Sequence, residues 1–188
     1  IQRSASLFLT KTIYSFLLAI LFFVIPAPYP FIPIQMTLIS AVTIGIPSFV
    51  LALEPNREKI KGNLFTNIVN KSIPAALTVI CCLMACVGTY MLFDIPMERY
   101  STLTVVSTGI IGIMLIYNIS VPFNSLRKTL FYSVVALLFI GISYFSSLLQ
   151  LEPLNFMNIS ILIVITLASK IIYDGLSKIN FEKYIKKQ

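Results

Sequence analysis

Histidine is absent from this chain, and charged residues are scarce. The 188 residues contain 14 Lys and Arg and 7 Asp and Glu, which makes 11% charged residues, against roughly 25% in a typical soluble domain. The absence of histidine excludes a histidine metal site. The sequence also has no glycine-rich phosphate loop, no carboxylate pair placed for acid–base catalysis and no aspartate-rich motif suited to a prenyl diphosphate. We therefore expect no catalytic residues and no bound cofactor in this chain itself.

Apolar residues dominate the sequence instead, at 57% with a mean hydropathy of +0.92, against about 45–50% in soluble domains. A transmembrane helix needs roughly 20 such residues. Six apolar runs approach this length, at about 5–25, 33–53, 72–93, 103–121, 130–149 and 159–174. The sequence predicts an all-α integral membrane protein, a six-transmembrane-helix bundle that forms one domain over 1–188. Because the chain has no initiator Met and opens almost directly into a helix, we expect it to be a fragment of a longer protein.

The positive charges are distributed unevenly over the connections between these runs. Arg3, the 54–71 and 122–129 loops and the tail at 175–188 hold 11 Lys or Arg, whereas the opposite connections hold one, Arg99. Because cytoplasmic loops carry the excess of Lys and Arg, we predict a multi-pass cell-membrane protein with both termini in the cytosol. Charges that cluster in such loops favour the lipid bilayer as a partner and argue against nucleic acid.

The second apolar run contains features that are unusual for a lipid-facing helix. Ser40 and Thr43 are polar, and Pro47 deprives the carbonyl of Thr43 of its helical hydrogen-bond donor. These three residues lie about one helical turn apart and therefore share a face. A carbonyl freed inside a membrane must find another partner or line a cavity. The run is thus a candidate ion pathway.

A family resemblance is carried by this same stretch, which looks like the sixth transmembrane helix and following cytosolic loop of P-type cation-transporting ATPases. The frame that matches is Pro33-x-Gln35, Ser40, Thr43-x-Gly45-x-Pro47 and Leu53-Glu54-Pro55-Asn56. The whole chain fits the six C-terminal spans of this family, from the fifth to the tenth. The resemblance implies the membrane half of a bacterial-type pump, which forms part of a path for Ca²⁺ or another hard cation, with proton counter-transport as one option.

The resemblance also implies which residues line that path. Thr12, Ser15, Ser40 and Thr43 match positions at which the family coordinates its cation, and hydroxyl oxygens suit hard cations. Taken alone, such hydroxyls are more typical of packing between membrane helices. Lys11 falls beside these positions and is expected to act as an internal counter-charge, although its long side chain also has the option of reaching the interface. The first two spans contain no carboxylate, unlike the corresponding spans of calcium pumps.

Cytosolic partners are implied as well. The loop that begins Glu54, Pro55, Asn56, Arg57 resembles the one that couples the phosphorylation domain of these pumps to the membrane, whereas its composition alone is that of a solvated loop. Mg²⁺ and ATP are implied for a parent protein, together with its remaining spans and cytosolic domains. The Asp-Lys-Thr-Gly phosphorylation motif is absent here, so whether this chain belongs to an enzyme depends on that parent.

Two other classes of protein remain open from the sequence. A secondary carrier would have no ATPase partner, and the three pairs of corresponding spans share no repeated motif. A membrane anchor or scaffold would not transport at all. Soft-metal transport through thiolates is a further alternative. However, the sequence lacks a Cys-Pro-Cys motif within a span, and buried cysteines usually behave as small hydrophobes; the cysteines are Cys81, Cys82 and Cys86.

Overall fold

The computed structural model describes residues 2–54 and 64–179, and the regular structure in these ranges is helical throughout. A π-helical turn, Ala41–Gly45, joins the α-helices Pro33–Ser40 and Ile46–Leu53, and we refer to Pro33–Leu53 as the interrupted helix. The α-helices are α1 (Gln2–Val24), α2 (Pro33–Ser40), α3 (Ile46–Leu53), α4 (Leu64–Phe93), α5 (Met97–Ser120), α6 (Ser125–Tyr144) and α7 (Phe156–Leu176).

The predicted fold class is confirmed. Within the described ranges, six helical units are long and apolar enough to cross a membrane, and no strand is present. Many of their large apolar side chains are exposed on the outside of the bundle, for example Phe23, Phe139 and Phe156. Exposed apolar surface on this scale is expected where lipid replaces water as the solvent, so the chain is a multi-pass membrane protein.

Several helices extend beyond the apolar runs that predicted them. The run at 72–93 corresponds to α4, which begins at Leu64 and places Lys71 two turns inside the helix rather than in a loop. Hydropathy detects the part of a helix that lies in lipid, and a helix that continues past the interface gives no apolar signal. Likewise α6 begins at Ser125, because the Asn124 side chain accepts a hydrogen bond from the Arg127 N–H and caps its N-terminus.

The centre of the bundle is α5, which contacts α2, the π turn, α4, α6 and α7. Glycines allow close approach at this centre. A Cβ atom at Gly112 would lie 2.7 Å from Thr43 Cγ2, and one at Gly141 would lie 2.9 Å from a methyl group of Leu38. Small residues are typical of contacts between membrane helices, because these helices associate through packing. The interrupted helix is thereby held closely against α5 and α6.

Candidate cation path

The interrupted helix departs from α-helical bonding at its middle. The Ile46 N–H donates to the carbonyl of Ala41, five residues earlier, instead of to Val42. Pro47 has no N–H to offer Thr43, and its ring would clash with that carbonyl in a regular α-helix. A π turn relieves this clash, and such turns are frequent at functional sites. The carbonyls of Val42 and Thr43 therefore lie where the regular helical donors are displaced or missing.

Thr43 is the polar side chain within this turn. It is 3% exposed, and its hydroxyl donates to the Ile39 carbonyl at 2.7 Å. A threonine bonded in this way to the carbonyl four residues earlier often bends a helix. The other side of Thr43 packs against Gly112 of α5. The residue that the sequence places in the ion pathway thus faces the interior of the bundle.

A small cavity lies beside Thr43, between α1, the interrupted helix, α4 and α5. Its volume of about 20 Å³ is sufficient for about one water molecule. Thr10 and Thr108 donate to carbonyls of their own helices at 2.7 and 2.8 Å, as Thr43 does. Their oxygens are left as acceptors. The hydroxyl-bearing residues of the lining are Thr10, Tyr14, Thr43 and Thr108.

The other predicted path residues lie elsewhere on the two helices. Thr12 is exposed, on the face of α1 that also carries Phe8 and Phe16, and its hydroxyl donates to the Phe8 carbonyl at 3.0 Å. Ser15 and Ser40 are half-buried. The bundle therefore buries Thr43 against α5 and leaves Thr12 on its outer surface. As a shared cation site, the four predicted hydroxyls stay a prediction.

Lys11 is half-buried. It lies on α1 beside the exposed Thr12 and one turn from Ser15, at the border between the buried and exposed faces of the helix. No Asp or Glu occurs in α1 or in the interrupted helix. Its predicted role as a counter-charge stays a prediction.

A buried amide fixes the N-terminal end of the interrupted helix. Gln35 is 1% exposed, and its Oε1 accepts from the Ile32 N–H at 3.0 Å and from Ser101 Oγ at 2.9 Å. Its Nε2 donates to the Leu149 carbonyl at 2.8 Å. The side chain therefore joins this end to α5 and to the segment after α6. The sequence marked Gln35 as a polar residue of this span and as part of the resemblance, but periodicity gives no signal for such a network.

A carboxylate fixes the C-terminal end. Glu54 forms an ion pair with Arg127 at 2.6 Å and accepts a hydrogen bond from Asn124. Partial burial would raise the pKa of Glu54, but the hydrogen bonds from Arg127 and Asn124 and the charge of Arg127 outweigh it and hold that pKa below its usual range. Glu54 is thus ionised and bonded. The other predicted coupling residues, Pro55, Asn56 and Arg57, lie outside the described residues.

The cysteines lie in α4, away from the interrupted helix. Cys81 is exposed, whereas Cys82 and Cys86 are buried, and the Cys86 thiol donates to Ser107 Oγ of α5 at 3.8 Å. Across residues 2–54 and 64–179, no group of three or more His, Cys, Asp or Glu is placed to hold a metal ion. The buried thiols contribute to packing between α4 and α5.

The fold and this interruption define a multi-pass helical membrane protein with a break inside one span, and the known proteins that it resembles are cation pumps. It is 42% identical over 89 residues to the calcium-transporting ATPase CtpE of Mycolicibacterium smegmatis, which covers 42% of this chain and 11% of that protein. It is 31% identical over 138 residues to the probable cation-transporting ATPase exp7 of Streptococcus pneumoniae, which covers 69% of this chain and 18% of that protein. No family model matches the chain.

These matches confirm the resemblance to P-type cation-transporting ATPases that the frame from Pro33 to Asn56 indicates. The CtpE protein of Mycobacterium bovis gives the same result, at 38% identity over 89 residues. The chain spans only 11% to 18% of the length of the curated relatives that it matches.

Proposed function

We propose that this chain is the C-terminal membrane half of an ATP-driven P-type cation pump, in which the interrupted helix forms part of the cation path. The observation that carries this proposal is the π turn at Ala41–Gly45, inside a bundle similar in sequence to cation-transporting ATPases. Irregular backbone at membrane depth is tolerated where it is buried in protein or lines a cavity. Both conditions are met beside Thr43.

The chemistry of this turn favours a hard cation. The ligands that we propose are the backbone carbonyls of Val42 and Thr43 and nearby hydroxyls, and oxygen donors of this kind suit Ca²⁺, Mg²⁺ or alkali ions. Ca²⁺ is the first cation to test, because the relatives with 38% to 42% identity are named calcium-transporting ATPases. Since neither α1 nor the interrupted helix contains a carboxylate, an acidic ligand has to come from other spans of the complete protein.

The exposed face of α1 offers a contact surface for those spans. Thr12, Phe8 and Phe16 are exposed there, so no helix within the described residues covers this face. We propose that remaining spans of the complete protein cover Thr12, Ser15 and Lys11, and that Lys11 supplies a fixed positive charge beside the path. Mg²⁺ and ATP would act in cytosolic domains outside this chain. The charge distribution supports a cytosolic location for both termini and for the Glu54 end of the bundle.

The test is cation-stimulated ATP hydrolysis by the complete protein, with Thr43→Val compared with Thr166→Val. Both threonines donate to the carbonyl four residues earlier at 2.7 Å, but Thr166 lies in α7, away from the interruption. Loss of one oxygen near the path should raise the half-maximal cation concentration about tenfold, which corresponds to about 1.4 kcal/mol. Thr166→Val should leave it unchanged. ATP hydrolysis that responds to no cation would refute the pump function.

A further inference from the structure

The carboxylate that ends the interrupted helix is bonded to the connection between α5 and α6. Glu54 Oε1 lies 2.6 Å from Arg127 Nη2, and Arg127 Nε donates to Glu54 Oε2 at 3.0 Å. Asn124 Nδ2 also donates to Glu54 Oε1, at 2.6 Å. Two parallel contacts between a guanidinium and a carboxylate fix the direction of both groups as well as their distance. The sequence does not pair these residues, because they lie 73 positions apart.

The pair is buried, in contrast to the other described ion pair. The side chains of Glu54 and Arg127 are 7% and 10% exposed. Arg99 and Glu152 lie near the other ends of the helices, with side chains 32% and 47% exposed and a separation of 3.4 Å. Exposed ion pairs contribute little to folding stability, whereas removing one partner of a buried pair leaves an uncompensated charge in the interior. The bundle is therefore far more sensitive to Glu54 and Arg127.

Arg127 is itself held by its own connection. Its Nη1 donates to the Pro122 carbonyl at 2.5 Å, and its backbone N–H donates to Asn124 Oδ1 at 2.8 Å. The same connection is bonded to α1, because Arg3 Nη1 donates to the carbonyl of Ile119 at the end of α5. The guanidinium is thus bonded both to Glu54 and to the backbone between α5 and α6.

We propose that Glu54 and Arg127 form a positioning link that makes α3 move together with the α5–α6 connection when the loop after Glu54 is displaced. This inference rests on the proposed function, since that loop is the one by which cytosolic domains would act on the membrane. α5 contacts the π turn and α6 contacts α3. A displacement applied at Glu54 would therefore shift α3 together with the α5–α6 connection, and any change of shape within the interrupted helix would fall at the π turn.

The experiment compares single substitutions with an exchange of charges in the complete protein, reconstituted into lipid vesicles. Glu54→Gln and Arg127→Gln are measured beside the exchange Glu54→Arg with Arg127→Glu. The control variants are Arg99→Gln and Glu152→Gln. The readouts are the number of cations transported per ATP hydrolysed and the melting temperature.

Each single substitution should lower the transport ratio several-fold and the melting temperature by a few °C. The exchange should restore both at least halfway, and the controls should match the unaltered protein. Arg127→Lys keeps the charge but loses the Nε contact. Asn124→Ala removes one hydrogen bond to Glu54. These two single substitutions are milder, and both variants are expected to fold. Both should lower the transport ratio by a smaller factor.

Three results would overturn this link. One is a melting temperature that falls while cations per ATP stay unchanged, because that pattern belongs to a purely structural pair. The second is an exchange that restores nothing. The third is an unaltered protein that hydrolyses no ATP in response to cations, which would refute the proposed function and remove the positioning role with it. The first two leave the pump function standing, so the failures are distinguishable.

Discussion

The ends of the interrupted helix and its middle are held in different ways. Gln35 fixes one end through hydrogen bonds to Ser101 and Leu149 and to its own N-cap residue, Ile32. Glu54 fixes the other end through Arg127 and Asn124. The middle, Ala41–Gly45, departs from α-helical bonding and rests against Gly112 of α5. A helix fixed at both ends can rearrange only between them. We therefore expect any change of shape in the interrupted helix to occur at the turn that bears Thr43.

Loosening the Gln35 end should have the largest effect on folding. Gln35→Leu leaves the Ile32 N–H and the Leu149 carbonyl without their partner, and we expect a loss of about 2–4 kcal/mol. Asn118→Leu is the control, because within the described part of the chain that amide bonds to the Met114 carbonyl of its own helix, at 2.8 Å, and to no other helix. Thermal unfolding of the complete protein in detergent measures both. Equal melting temperatures for the two variants would show that this end is not fixed by Gln35.

Crowding the middle should have the next largest effect. Gly112→Ala places a Cβ atom 2.7 Å from Thr43 Cγ2, so the turn has to move away from α5 at a cost of about 1–3 kcal/mol. Gly88→Ala is the matched control, since no atom lies within 4 Å of its added Cβ, and its higher helix propensity should stabilise α4 slightly.

The readout for the glycine pair is cation activation of ATP hydrolysis together with thermal unfolding. We expect Gly112→Ala to weaken cation activation and to lower the melting temperature. Gly88→Ala should leave cation activation unchanged. If cations activate ATP hydrolysis by Gly112→Ala as they do for the unaltered protein, the close contact between Thr43 and α5 has no part in the cation path.

Lys11 should have the smallest effect on folding and a specific effect on transport. Lys11→Ala removes a fixed charge beside Thr12 and should change the ion dependence or stoichiometry of transport. Lys11→Arg should restore it incompletely, because a planar guanidinium differs in shape from an ammonium group. Lys170→Ala, an exposed lysine of α7, is the control. If neither Lys11 variant alters cation-dependent ATP hydrolysis or its pH profile, the side chain of Lys11 only extends to the membrane interface and has no role in transport.

The sequence predicted those parts of the structure that depend on local composition. Apolar runs located the six spans, and Pro47 indicated a weakened backbone in the second span, because a proline inside a helix removes a donor. Proline alone does not determine an interruption, since Pro74 lies within the continuous helix α4. Hydropathy detects only the part of a helix that lies in lipid, which explains why the true ends of some helices were missed. Residues 64–71 are mixed in character, so hydropathy gave no sign that α4 begins at Leu64.

The parts that depend on packing between distant segments were not predicted. Gln35 bonds to a carbonyl 114 positions away, and Glu54 to a side chain 73 positions away, and no periodic pattern records such pairs. The hydroxyls of Thr10 and Thr108 joined Thr43 at the cavity, whereas Thr12 turned to the outer face. Which face of α1 is buried depends on α4 and α3, the helices it packs against.

Cation-protected labelling at the π turn tests the central claim most directly. In the complete protein with Cys81, Cys82 and Cys86 replaced, a single cysteine is introduced as Thr43→Cys or, as the control, Thr166→Cys. A small water-soluble thiol reagent should modify Thr43→Cys, and a saturating transported cation should slow that reaction several-fold while leaving Thr166→Cys unaffected. Labelling of Thr43→Cys at the same rate with and without the cation would contradict a cation path at the interruption.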